Sequence, residues 1–357
     1  MHPLHDSEVA RRLLDHLART FGCADAVYLA GPARIQGGFD TTIFGFTLDR
    51  VPAALAGPLI LRLSGANADP QRVKLETIVQ NTLADMGYAA PRVMVTESDP
   101  AILGGPFMVM QRVPGKTLGH AIEGFGAGSS FPERVRLLFS LPAILTGIID
   151  QWVEMQIRLH QLPAEPLLRA VTSAGIDARV ITFEGQLARL RTIAERCALT
   201  GLEPGLAWLD HHRPAPSQAA AICHGDFHPL NILANHGSPT GVIDWPNVVI
   251  AEPAMDVGSA IANISTVPIG LPGPLRFAAQ AAIGAALRRY ERAYRARRPL
   301  DDKAVRYYQV YRAVAQLVPV GAARAAGRAG GGAFHSATGA GNLIALIKRF
   351  SGVSVRL

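Results

Sequence analysis

A change of hydrophobic period near residue 114 limits what this chain can fold into. Before it, apolar residues fall in short β-rich runs, "TTIFGFTL", "PLILRL", "RVMVTES" and "PFMVMQRV", separated by Gly, Pro and Asp. Two helical stretches accompany them. "DSEVARRLLDHLARTFG" places Val9, Leu13, Leu14 and Leu17 on one face, with Asp6 or Ser7 as cap and Gly22 as stop; in "DPQRVKLETIVQNTLADMG", Asp69 and Pro70 open the helix and Gly87 closes it. From about 131 to 210, and again from Met255 to Val320, helical spacing takes over. "GRAGGGAFHSATGAG" reads as a loop, and "NLIALIKRF" as a last apolar helix. The order predicts an α/β (α+β) protein with two lobes: a small antiparallel-sheet lobe over 1–113 and a larger, mainly helical lobe over 114–357.

Composition narrows the function classes. With 49% hydrophobic and 18% charged residues in 357, the chain can bury ample core. Cys23, Cys197 and Cys223 are too scattered for a disulfide framework or a metal motif, which suits a reducing cytoplasm. No signal-like N-terminus or bilayer-length apolar run is present, so no membrane partner is expected. The net charge of +7 is uneven: Arg276 to the end holds fifteen Lys and Arg against three Asp and Glu. Without a zinc-finger spacing or aromatic RNA-binding signature, this argues for a solvated arginine face rather than a nucleic-acid partner. Oligomeric state leaves no trace in the sequence.

The chemistry concentrates in "CHGDFHPLNIL" and "GVIDW". Asp226 and Asn231 stand five apart in a polar loop, and Asp244 ends a short apolar run thirteen residues later. One carboxylate can take a hydroxyl proton, while an amide oxygen and a second carboxylate suit Mg²⁺. Phosphoryl transfer needs those parts, and the Asp-to-Asn spacing equals that of the kinase catalytic loop. A zinc site from His224, His228 and Asp226 is the rival chemistry, though no well-supported further ligand is evident.

"HGDFHPLNIL…VIDW" resembles the aminoglycoside phosphotransferase-like family, kin to choline kinases and the protein-kinase fold, over roughly residues 30 to 320. The resemblance implies Asp226 as catalytic base, Asn231 and Asp244 as Mg²⁺ ligands, and His224 and His228 as supports of the loop. It implies ATP or GTP as co-substrate and a small-molecule hydroxyl as acceptor. Gly37 and Gly38, in a strand–turn–strand context, would bring backbone N–H groups to the phosphates. Arg62 stands where kinases carry a phosphate-binding lysine, as in some relatives with a similar strand, and Glu76 is placed to pair with it. "FMVMQRVPG" resembles the interlobe linker, so backbone groups from Met110 to Val113 would meet the adenine edge. Glu252, Pro253 and Asp256 match the family's "DPAxD", with Asp256 as a helix cap bracing the loop.

The acceptor is the open point. The run "LRRYERAYRARRP" puts Arg288, Arg289, Arg292 and Arg295 on about two helical turns with Tyr290 and Tyr294. If that face lines the cleft, the acceptor is neutral or anionic; the competing reading is a solvated outer face. An aminoglycoside or macrolide phosphotransferase and a nucleotide-binding pseudokinase are the alternatives.

Overall fold

The structure, a computed structural model, describes residues 5–35, 41–120, 131–270, 273–327 and 333–357. It has an N-terminal antiparallel-sheet lobe and a larger C-terminal helical lobe, as the sequence predicts. By compactness the first unit takes in Met1–Gly115, Pro166–Ile176 and Thr240–Pro246, and the second takes in the remainder.

The first unit opens with α1 (Asp6–Phe21), closed by Gly22 in the left-handed region. Its sheet contains β1 (Val27–Ile35), β2 (Thr41–Asp49), β3 (Pro58–Ser64), β4 (Val93–Glu97) and β5 (Phe107–Gln111), in the order β1-β2-β3-β5-β4 and antiparallel throughout. Strand alternation sorts side chains to two faces. Leu59 and Leu61 of β3, with Phe107 and Val109 of β5, join Val9, Leu13 and Leu17 of α1 in the main cluster. Each such side chain, fully buried, stabilises the lobe by roughly 1.5–3 kcal/mol. Ile60, Met108 and Met110 point the other way, packing with Val73 of α2 (Pro70–Asp85). Arg62 shares that face, so the strand's parity directs it towards Glu76, one turn beyond Val73. The Asp69 side chain accepts the Gln71 N–H at the start of α2. A short helix, α3 (Pro100–Leu103), repeats this pattern with Asp99 as cap and Gly104 as stop. The sequence analysis passed over it.

In the second unit, β6 (Lys116–Thr117) precedes α4 (Phe131–His160). Next comes α5 (Glu165–Ser173), which belongs to the first unit from Pro166 onward, then α6 (Phe183–Arg196) and α7 (Glu203–His211). Strands β7 (Ala221–Cys223) and β8 (Ile232–Asn235) frame the polar loop; β9 (Ser238–Val242), which belongs to the first unit from Thr240 onward, and β10 (Val249–Ala251) follow, β7 pairing antiparallel with β10 and β6 with β8. Four helices follow: α8 (Ala254–Thr266), α9 (Gly273–Arg295), α10 (Asp302–Ala325) and α11 (Ala337–Ser351). Nearly every side of α8 is buried, which makes it the central helix of the unit. A Cβ on Gly258 would lie 2.7 Å from the Val305 carbonyl, so glycine is what lets α8 and α10 approach closely.

Two expectations need correction here. α1 begins at Asp6 after His5, and neither Asp6 nor Ser7 caps it with a side chain. The stretch read as a loop up to Gly341 already contains the start of α11, because the Ser336 hydroxyl accepts the Gly339 N–H and caps it. Local capping outweighs the glycines. Of the two readings of the α9 arginine run, the solvated outer face is the one found: Arg288, Arg289 and Arg292 are exposed, while Tyr290 and Tyr294 are fully buried. Tyr290 stacks on Trp152 at 3.7 Å, and the Tyr294 hydroxyl lies 2.7 Å from His160 Nδ1. Among the described residues, no helix is long and apolar enough to cross a membrane.

Candidate active site

The polar loop starts where β7 ends and is held from beneath. Asp256, in the first turn of α8 and fully buried, accepts the His224 N–H at 2.9 Å and the Gly225 N–H at 2.6 Å. Its Oδ2 is also 3.1 Å from His160 Nε2. Asp256 therefore braces the loop, but it does not cap its own helix, as the sequence reading had it; α8 has no side-chain cap. Gly225 adopts φ +79°, and a Cβ there would stand 2.1 Å from the Asn247 carbonyl oxygen. Only glycine passes both conditions. The buried His224 accepts the Asp226 N–H on Nδ1 at 3.2 Å.

At Asp226 the two carboxylate oxygens differ. Oδ1 accepts from Asn263 Nδ2 of α8 at 2.5 Å and from Arg312 Nη2 of α10 at 2.9 Å, with His228 Nε2 at 3.6 Å. Among the described residues Oδ2 has no hydrogen-bond partner. Burial pushes the carboxyl's pKa up, but Arg312, the two neighbouring histidines and the Asn263 hydrogen bond outweigh it, and the net shift is below the usual carboxylate range. Asn231 donates its amide nitrogen to the Asp226 carbonyl at 3.0 Å, leaving its Oδ1 as the atom to offer a ligand.

A second constellation lies in the first unit. Arg62 Nη1 donates to Glu76, and Nη2 donates to Asp244 Oδ1 at 3.2 Å. Burial alone would favour an uncharged Glu76 and raises its pKa, opposed by Arg62 and the Trp245 backbone N–H. Burial also acts against charge on Arg62, but Glu76 and Asp244 together raise its pKa, so it stays a cation. Asp244 holds φ +70°, a conformation that costs a non-glycine residue about 1–3 kcal/mol and is common at functional positions. Trp245 anchors it: fully buried, edge-on to Tyr88, with its indole N–H on the Val242 carbonyl at 2.9 Å.

Of the other expected residues, Met110 is a core side chain of β5. The N–H groups of Gln111 and Arg112 go to the Arg92 and Pro58 carbonyls, so Val113 is the first residue beyond that pairing. Gly37 and Gly38 lie outside the described residues. The zinc alternative finds no support in the loop, where His224 Nδ1 is committed to the Asp226 N–H. Among the described residues the ligand-type atoms that do converge are those of His160, Cys223 and Asp256. All three are buried, His160 and Asp256 bond one another, and burial pushes the Cys223 thiol up, so this is a hydrogen-bonded support. Sequence reasoning missed Asn263 and Arg312. Their one signal was polarity on otherwise apolar helix faces.

A small sheet lobe with an Arg–Glu pair, joined to a helical lobe bearing an Asp-x₄-Asn loop, defines a kinase-like phosphotransferase fold. The model of the phosphotransferase enzyme family (APH) matches residues 33–301, and the chain belongs to that family. No curated protein matches the chain. Among solved structures, a candidate aminoglycoside phosphotransferase from Ralstonia eutropha JMP134 is 18% identical, with TM-score 0.60 over 97% of this chain and 99% of that one. Aminoglycoside phosphotransferase APH(4)-Ia, as a thermostable mutant in ternary complex with AMP-PNP and hygromycin B, is 16% identical, with TM-score 0.60 over 96% and 100%. Macrolide 2'-phosphotransferase MphH from Brachybacterium faecium is 16% identical, with TM-score 0.52 over 96% and 99%. At these identities the likeness is one of fold.

Proposed function

We propose that this chain transfers the γ-phosphoryl group of ATP, or GTP, to a hydroxyl of a small molecule. The observation that carries the reading is the asymmetry of Asp226: one oxygen is tethered by Asn263 and Arg312, and the other is left for an acceptor. A carboxylate so held stays ionised, orients the hydroxyl and takes its proton as the new O–P bond forms and the bond to the β-phosphate oxygen breaks. Arg62, kept charged by Glu76 and Asp244, grips phosphate oxygens. Asn231 Oδ1 and the half-exposed Asp244 carboxylate are each a hard oxygen donor of the kind Mg²⁺ takes. When bound, that ion neutralises charge on the β- and γ-phosphates. Backbone groups at Val113 take the adenine edge.

Aminoglycoside or macrolide phosphorylation is the second reading, favoured by the acceptors named for the solved relatives. The test is label transfer from [γ-³²P]ATP to hygromycin B, kanamycin, erythromycin and a set of neutral and anionic alcohols. Transfer to at least one acceptor is expected, with loss by roughly 10²–10⁴-fold in Asp226→Asn and AMP-PNP affinity retained. Nucleotide binding without transfer to any acceptor would instead support a pseudokinase.

A further inference from the structure

We infer that Arg312 selects the acceptor: its guanidinium takes an anionic or carbonyl oxygen placed one or two carbons from the reacting hydroxyl, and disfavours an ammonium group there. The inference rests on the phosphotransfer reading of Asp226.

Arg312 is 8% exposed. Its Nη2 is on Asp226 Oδ1 at 2.9 Å and its Nε on Asn263 Oδ1 at 2.9 Å. Gln316 Nε2 reaches the same Asn263 oxygen at 3.4 Å. These bonds fix the guanidinium plane beside the one carboxylate oxygen that the protein uses. A guanidinium has five N–H donors, and among the described residues Nη1 has no partner. Nη1 is not sealed from solvent, so its donor pair is open to an oxygen of a bound molecule. The group best placed to do so is the molecule that Asp226 Oδ2 receives.

The distribution of acids argues the same way. Arg312 neutralises Asp226. Both oxygens of Asp256 are taken by the loop backbone, Oδ2 facing His160 as well. Beyond Asp256 the acids are Glu291, Asp301 and Asp302. Glu291 and Asp302 both pair with Arg295, and Asp301 caps α10. None of α8, α10 and α11 therefore offers an uncommitted carboxylate to a polycation. The exposed arginines of α9 play no part in this argument.

Glycerate and 3-amino-1,2-propanediol test the inference, because they share carbon skeleton and hydroxyls and differ in carrying a carboxylate or an ammonium. Each is titrated calorimetrically into protein loaded with Mg²⁺ and AMP-PNP. Wild type is expected to bind glycerate roughly tenfold more tightly than the amine. Arg312→Gln should erase that preference and Arg312→Lys should retain part of it, with AMP-PNP affinity reporting that both variants are folded. Equal or tighter binding of the amine, a preference unchanged in Arg312→Gln, or no binding of either probe would overturn the inference. Binding is read without turnover, so failure of transfer to every acceptor would overturn the phosphotransfer reading, whereas loss of the preference with transfer intact would overturn this inference alone.

Discussion

Gly225 shows how one residue decides whether the loop exists. Gly225→Ala would force a Cβ into the left-handed region and onto the Asn247 carbonyl. We expect a loss of stability of about 1–3 kcal/mol or more, read as a lower Tm, together with loss of transfer. At Arg62 charge and geometry can be separated. Arg62→Lys should keep partial activity and Arg62→Ala very little, because lysine retains the cation but cannot span Glu76 and Asp244 at once. Wild-type rates in both would show that the pair does not touch phosphate. Asp226, Asn231 and Asp244 could be singled out as candidates because their spacing is local to two short motifs. Arg312 and Asn263 could not, because they reach Asp226 from 86 and 37 residues away, a juxtaposition only the packing of α10 on α8 creates.

Between elements, the loop's fixity comes from α8 and α4 acting together through Asp256 and His160. Asp256→Ala would strand two buried N–H groups, each at a cost of about 1–3 kcal/mol. A Tm lower by several degrees and impaired transfer are expected, with Asp256→Asn intermediate since one acceptor oxygen remains. Unchanged thermal denaturation would show that the brace is dispensable. α1 starts at Asp6 without a side-chain cap from Asp6 or Ser7, whereas the start of α2 was readable because Asp69 and Pro70 precede its apolar pattern. The same pattern at Asp99 was passed over because four residues are too few to establish a period, and Ser336 was masked by the glycines after it. On α9 the sequence located the arginines without revealing their orientation. The tyrosines at i and i+4 held that answer, since two aromatic residues on one face bury that face.

For the whole molecule, the switch from strand to helical period announced both lobes. What it could not announce is that the chain returns to the first unit twice. Thr240–Pro246 brings Asp244 to Arg62, Trp245 onto Tyr88 and the Val242 N–H onto the Ala89 carbonyl at 2.7 Å. Pro166–Ile176 brings two fully buried apolar residues, Leu167 and Val171, and its Ala174 carbonyl accepts from Lys74. A fragment of residues 1–113 lacks all of these. It should therefore show no cooperative melting by circular dichroism; a sharp transition would mean that the sheet and α1 suffice. The same detour bears on ancestry. Genetic exchange with a crossover near residue 115 would transmit a sheet parted from the acid that its arginine holds. Halves of two such chains joined there would keep that ion pair only if each supplied the partner the other had lost.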